Sequence, residues 1–252
     1  MTDDGLRDKV VLVTGSGRGL GAAFARAAGA EKARVVVNCQ QDLKAAEAVA
    51  AAVRKAGGEA IAYRADVRDF EQASGLVDHV VRTWGRIDIL VNTVGSLNWK
   101  SFTDLEPAEF RRVISSNLDS VFYMCRLVLP HMREKRFGRI VNFAAVGAES
   151  TLGEPQMAAY SAAKAAVVAL SKALALEEAR CGITINVVSP GLLRDESGNR
   201  DAKAADDMLG DRVPVGHAGR AADVVRAVLF FVTPAADFIT GQVLEVAGGA
   251  RQ

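Results

Sequence analysis

Short apolar runs rich in Val and Ile alternate along the chain with longer segments whose apolar residues recur every three or four positions. The first run, Lys9–Thr14 (KVVLVT), lacks polar alternation, the pattern of a strand covered on both faces of a parallel sheet. Arg34–Asn38, Ala60–Ala65, Ile87–Asn92, Arg139–Phe143, Thr184–Ser189 and Gln242–Val246 read as further strands. Between them, Ala22–Lys32, Leu43–Lys55, Phe70–Trp84, Pro107–Lys135 and Ala222–Val232 have helical period, and Pro107–Lys135 is long enough for one helix or two in tandem. Met157 to about Arg180 is rich in Ala, Leu, Glu and Lys and free of Gly and Pro, so it reads as a long helix. This alternation predicts an α/β fold. It is a doubly wound, Rossmann-type parallel sheet of seven strands with helices on both faces and right-handed crossovers, in one domain over residues 1–252. Residues 192–212 are polar and charged without a period and are predicted to form a mobile flap over a ligand site.

The first predicted strand runs straight into Gly15-Ser-Gly-Arg-Gly-Leu-Gly21 and then into a helix. Glycines let the backbone turn tightly and approach a pyrophosphate, while the helix start offers free N–H groups and a positive dipole end. In this context Gly15, Gly17, Arg18, Gly19, Leu20 and Gly21 are expected to hold a dinucleotide. The second strand ends in Asn38-Cys39-Gln40-Gln41, where an NAD site usually carries Asp or Glu for the ribose hydroxyls. With no carboxylate in that stretch and Arg18 available as a cation, NADP is favoured over NAD. The plainer reading of Arg18 is a solvent-facing loop cation. Asn92-Thr-Val-Gly95 follows the fourth strand at the carboxyl edge, where such sheets bind ligands.

Tyr160 and Lys164 stand four apart in the long Ala-rich helix, so they share one face, one turn above the other. A phenol and an amine both titrate near pH 10, so neither is a useful acid or base alone. Held close, the ammonium is expected to favour the phenolate and draw the tyrosine pKa down towards neutrality. Taken in isolation, the same spacing reads as two side chains on a solvated helix face.

Composition narrows the alternatives. Lys plus Arg (31) nearly cancels Asp plus Glu (30), and no basic run is interleaved with aromatics, so nucleic acid is not an expected partner. Cys39, Cys125 and Cys181 are dispersed without C-x-x-C spacing and read as small buried hydrophobes in a reducing, cytoplasmic compartment. His79, His131 and His217 are equally scattered, so no metal site is expected. The polar, acidic start Met-Thr-Asp-Asp-Gly-Leu-Arg is unlike a secretory leader. No apolar run in the sequence approaches the roughly 18–20 residues that span a bilayer, so no membrane partner is expected.

Taken together, Thr14-Gly-x-x-x-Gly-x-Gly21, Asp66-Val67, Asn92…Gly95, Asn117, Tyr160-x-x-x-Lys164, Pro190-Gly191 and Ile239-Thr-Gly241 resemble the short-chain dehydrogenase/reductase family. The likeness is strongest to members similar to 3-oxoacyl-carrier-protein reductases, and it runs from Lys9 to Gly249. The resemblance implies that Tyr160 donates a proton to a carbonyl undergoing reduction. Lys164 then holds the nicotinamide ribose, and Asn117 stabilises a kinked helix and orders a water leading from Lys164. It further implies that Asp66 and Val67 meet the adenine, Asn92 and Gly95 flank the adenosine ribose, and Pro190 and Gly191 shape the nicotinamide pocket. The alternative for Asp66 is an N-cap on the 70–84 helix, and for Asn117 an ordinary helix surface. Homotetramers, or homodimers, built on the 107–135 and 157–181 helices and the last strand are implied in the same way.

Three departures stand out. The family's catalytic Ser position is Ala145, and stepping back 12–15 residues from Tyr160 meets only Ala148, Gly147, Val146 and Ala145. Losing one such donor costs ~10²–10³ in rate; Ser150 or Thr151 are the nearest hydroxyls that could substitute. The second Asn of the usual Asn-Asn-Ala-Gly turn is Thr93, and the Thr usually found shortly after Pro-Gly is absent from Leu192–Glu196. The expected function is NADP-dependent reduction of a ketone, of acyl, polyketide-like or other small type. The alternative is a dinucleotide-binding partner subunit or sensor with little turnover.

Overall fold

The computed structural model describes residues 5–194 and 213–250, so the predicted flap lies, apart from Leu192–Arg194, outside the described residues. Strands β1 (Val10–Thr14), β2 (Arg34–Cys39), β3 (Glu59–Arg64), β4 (Ile89–Asn92), β5 (Gly138–Phe143), β6 (Ile183–Pro190) and β7 (Val243–Val246) form one sheet. Their order is β3-β2-β1-β4-β5-β6-β7, parallel throughout. The chain winds outward from β1 to β3, then returns to lay β4 on the other side of β1. That reversal opens a crevice at the carboxyl ends of β1 and β4, the place where open α/β sheets hold ligands.

Helices α1 (Gly19–Ala30), α2 (Leu43–Lys55) and α7 (Ala221–Val232) cover one face, and α3 (Phe70–Trp84), α5 (Ser120–Lys135) and α6 (Ala158–Glu178) the other. Alternate strand residues feed opposite layers. Val11, Val13, Val35 and Val37 meet Phe24, Val49, Val53 and Phe231 on the first face. Val10, Leu12, Val36 and Leu90 meet Leu76, Val80, Met124 and Val167 on the second. Each such side chain fully withdrawn from water contributes about 1.5–3 kcal/mol, so strands of this composition are stable only between two helical layers. Asp42 caps α2 by accepting from the Ala45 amide at 2.9 Å, and Asp69 caps α3 by accepting from that of Gln72 at 3.0 Å. Asp66 is therefore not the cap of the 70–84 helix.

The Pro107–Lys135 segment is one helical rod with a defect: α4 (Pro107–Ile114) passes through a π turn at Ser115–Asp119 into α5. The widened turn inserts an extra residue per repeat and swings Asn117 fully into the interior. Helix α6 together with the turn after it (Ala158–Cys181) is long and apolar enough to cross a bilayer, which the sequence reading did not anticipate. In the fold its apolar face, including Ala163, Val167 and Ala175, lies against the sheet, and its buried Glu178 pairs with Arg133 of α5 at 2.8 Å. Its low polarity serves contact with the strands on this side, while 39% of the apolar stretch is buried and Leu176 stands exposed on the other.

A buried polar ladder ties this helix to the sheet. Asn92 Nδ2 of β4 donates to Asn142 Oδ1 of β5 at 2.8 Å, and Asn142 Nδ2 donates to Ser171 Oγ of α6 at 2.9 Å. Ser171 in turn donates to the Val167 carbonyl at 2.7 Å. Truncating the middle member orphans polar groups on both sides, so Asn142→Ala is expected to lose about 2–4 kcal/mol of stability. Urea unfolding measures it, and a loss below about 0.5 kcal/mol would contradict the ladder's role.

Candidate active site

A cavity of about 760 Å³ opens at the carboxyl edge of the sheet. Its floor at one end is the turn Gly15–Gly21, from which α1 starts with no acidic residue in its first turn and no side chain capping it. The leading N–H groups and positive dipole end of α1 are thus free to meet an anion. A Cβ on Gly21 would fall 2.5 Å from Thr93 Oγ1 and 2.9 Å from the Ser16 Cα, so only glycine lets the helix start sit this close to the β4 loop. Gly15, Gly17, Arg18, Gly19, Leu20 and Gly21 all border the cavity. Asn38 borders it too, but its side chain is turned inward. Its Oδ1 accepts from the Gly15 amide at 3.1 Å and its Nδ2 donates to the Ala65 carbonyl at 3.0 Å, fixing the turn from behind.

Beyond Asn38 the wall is made by Cys39, Gln40, Gln41 and Asp42, facing Asp66, Val67 and Arg68. The sequence reading stopped at Gln41 and found no carboxylate; Asp42, the α2 cap, also borders the cavity. Asp66 is gripped by Arg68, whose Nε and Nη2 donate to its two oxygens at 2.9 and 2.7 Å, and Gln40 Nε2 adds a third bond at 3.1 Å. The hydrogen-bonded guanidinium holds the Asp66 carboxyl below its usual range. Burial pushes the Cys39 thiol up, with the Asp42 charge adding to it, so Cys39 is a weak nucleophile.

At the other end, α6 brings Tyr160 and Lys164 to the cavity on one face, with Gly95, Asn117, Pro190 and Gly191 around them. Lys164 is buried and its Nζ donates to the Phe143 carbonyl at the end of β5 at 2.8 Å. Asn117 is no surface residue: its Nδ2 donates to the carbonyls of Ser96 and Val113 at 2.8 and 2.9 Å, and its Oδ1 is buried without a partner. A Cβ on Gly95 would meet that oxygen at 2.6 Å and the Lys164 Nζ at 3.5 Å, so glycine here leaves the carboxamide and the ammonium open to one space.

Two expectations are corrected by this geometry. Asn92 does not border the cavity; its side chain points into the sheet, to Asn142 and Cys125, and holds β4 to β5. Nor does Lys164 draw the Tyr160 pKa down in the protein alone. Burial pushes the phenol up, while burial also brings the Lys164 ammonium down to about 8. With Nζ 5.6 Å from the phenol ring centroid and engaged at Phe143, desolvation outweighs attraction.

Ala144 borders the cavity and Ala145 beside it is half-buried. Ser150 and Thr151 are exposed and outside the cavity wall, and Thr151 Oγ1 donates to the Ser150 carbonyl at 2.7 Å. Neither takes the place of the missing hydroxyl. The sequence reading missed Gln40, Arg68, Thr93, Ser96 and Ser116 as cavity residues. Ser96 and Ser116 adjoin Gly95 and Asn117, and adjacency to those two was the available signal.

The comparisons agree with this architecture. The profile of the family described as Enoyl-(Acyl carrier protein) reductase matches residues 15–251. The chain is 37% identical over 246 residues to a 3-oxoacyl-[acyl-carrier-protein] reductase of Synechocystis, covering 97% of both chains. It is 37% identical over 253 residues to 3beta-hydroxysteroid dehydrogenase 1 of Eggerthella lenta, covering 98% of this chain and 95% of that one. A solved Burkholderia xenovorans structure assigned to the short-chain dehydrogenases/reductases superposes with a TM-score of 0.88 at 33% identity, covering 97% of each chain. With the family profile matching residues 15–251 and relatives 37% identical over nearly the whole chain, the chain belongs to the short-chain dehydrogenase/reductase family.

Proposed function

We propose that this chain is an NADP-preferring oxidoreductase that reduces a ketone to an alcohol, with Tyr160 as the proton donor. One observation carries the reading: a single cavity joins the bare start of α1 to the Tyr160–Lys164 face of α6. A dinucleotide fits what lies between, since the glycine cradle, the buried unpartnered Asn117 Oδ1 and the Lys164 ammonium offer acceptors and donors along its length. When bound, the nicotinamide supplies the hydride; the protein's own residues manage the proton. A phenol pushed up by burial stays protonated at neutral pH, which suits donation to an oxygen gaining charge. Lys164, anchored by the Phe143 carbonyl, is set to bind ribose hydroxyls and stabilise the phenolate left behind. Asn117 holds Ser96 and the π turn, keeping that wall in position.

Arg18 beside the turn supports a 2′-phosphate, and so favours NADP over NAD. Asp42 opposes it, but its charge is engaged as the α2 cap. The alternative, a nucleotide-binding partner subunit or sensor, draws on Ala145 and on the absence of a Thr after Pro190-Gly191. A homotetramer, or failing that a homodimer, is supported by exposed apolar side chains on the outer elements: Phe110, Phe122 and Leu176 on α4, α5 and α6, and Phe230 and Leu244 on α7 and β7.

Tyr160→Phe is expected to cut ketone-dependent NADPH oxidation by ~10²–10⁴ while nucleotide binding, followed by NADPH fluorescence, is unchanged. Unchanged turnover in that variant would exclude Tyr160 as the acid. Sedimentation at micromolar concentration is expected to give the mass of four chains, and a one-chain mass refutes the assembly. The burial of Lys164 also has a signature in stability. Its pKa is about 8 folded against 10.5 unfolded, so between those values the unfolded chain holds the extra proton and stability rises with pH. The unfolding free energy of wild type relative to Lys164→Met should therefore climb by about 3 kcal/mol from pH 8 to 10.5 and be flat below pH 8. A flat difference across the whole range would mean that Lys164 is solvated.

A further inference from the structure

On the wall where the second hydroxyl is missing, three backbone amides around Ala145 are already engaged. The Ala144 amide is used by the Val188 carbonyl at 3.0 Å, and the Ala148 amide by that of Ala145 at 3.1 Å. Gly147, two residues past Ala145, gives its amide to Glu245 Oε1 at 2.8 Å. The hydroxyls that do border the cavity are spent elsewhere. Thr93 donates to the Thr14 carbonyl, and Ser96 and Ser116 bond each other at 2.6 Å. Among the described residues, Tyr160 is thus the one hydroxyl on this side of the cavity left to meet a reacting oxygen. A ketone oxygen has two lone pairs, and the charge it gains during reduction needs both satisfied in a site shielded from water.

The mouth beside this wall has its own character. Leu97 borders the cavity and is 54% exposed, and Trp99 nearby is 59% exposed. The Lys100 amide donates to the Gln156 carbonyl at 2.8 Å, joining this segment to the loop between β5 and α6 that carries Leu152, itself 45% exposed. Leu97 at the cavity edge, continued by the exposed Trp99 and Leu152 on the two joined segments, makes an apolar surface that fits a flat aromatic body.

From these two observations we propose that the substrate brings the donor the protein lacks: it is an aryl ketone with a hydroxyl on the neighbouring ring carbon, bonded internally to the carbonyl oxygen. The proposal rests on the ketone-reductase reading and names its substrate class. In the step, hydride from the reduced nicotinamide dinucleotide forms the new C–H bond at the carbonyl carbon, and the π electrons move to oxygen. That oxygen takes the Tyr160 proton; the ketone is reduced, the nicotinamide oxidised, and the substrate hydroxyl keeps its proton throughout. As the oxygen becomes more basic its internal hydrogen bond strengthens, which is the service a wall serine would give.

The test compares ortho-hydroxyacetophenone, ortho-methoxyacetophenone and para-hydroxyacetophenone as substrates with NADPH. The methoxy compound keeps the ortho oxygen without the donor, and the para compound keeps the hydroxyl out of reach. Wild type is expected to favour the ortho-hydroxy ketone by ~10² in kcat/KM over either control. Ala145→Ser should shrink that preference at least tenfold by speeding the controls. Equal rates on all three ketones in wild type, or a preference that Ala145→Ser leaves intact, would overturn the proposal. If neither protein reduces any of the three while both bind NADPH, the aryl-ketone class is overturned, and the reductase reading falls only if aliphatic and 3-oxoacyl thioester ketones are left unreduced as well. If Ala145→Ser does not fold, the wild-type ratio alone decides. A readout free of turnover is tryptophan fluorescence. The ortho-hydroxy ketone should quench wild type and lose that effect in Trp99→Phe, and identical quenching in both would remove the aromatic mouth from the argument.

Discussion

A lysine ammonium cut off from water, with the end of a central strand as its partner, is the constraint around which this protein is arranged. Its cost is lowered by the Phe143 carbonyl, which is in reach only because β5 ends where α6 crosses it. That crossing is fixed by the ladder from Asn92 through Asn142 to Ser171, two turns further along α6 than Lys164. Packing density, strand register and the place of the reactive face are therefore one problem. The polar ladder sets the height of α6 on the sheet, and the apolar layer of Val167 and Ala175 holds it there.

The glycine-turn end of the cavity is built by a different device. There the backbone lines the wall, and side chains serve by holding it still. Asn38 spends its carboxamide on the glycine turn and the end of β3, and Ser16 receives the Asn38 amide while donating to Val13. A turn containing Gly15 and Gly19 in left-handed conformation has little intrinsic rigidity. Hydrogen bonds from the neighbouring strand provide it.

Much of this was legible in the sequence, and the failures have physical causes. Uninterrupted β-branched runs such as KVVLVT identify strands buried on both faces, and helix ends followed caps and glycines closely enough to place Leu43–Lys55 and Phe70–Trp84 to the residue. What sequence could not convey was which way a side chain turns at a strand's end. Asn38 and Asn92 both sit at carboxyl termini of strands bordering the crevice, yet both aim inward, because each satisfies polar groups that only the folded sheet brings near. The electrostatics of Tyr160 and Lys164 were misjudged for a related reason. Spacing gives proximity, whereas the balance between attraction and desolvation depends on how little water remains around both groups. Asp42 escaped notice because it lies one residue beyond the stretch conventionally inspected, and the start of α2 folds it back to the cavity.

The π turn at Ser115–Asp119 carries a wider implication. Because it adds a residue within the helix, α4 and α5 present faces that are out of phase with each other along one apparently continuous rod. Evolution can thus alter the outer surface of α4, or that of α5, without rephasing the other. Asn117, at the seam, ties the two segments to the loop after β4 through its bonds to the Val113 and Ser96 carbonyls.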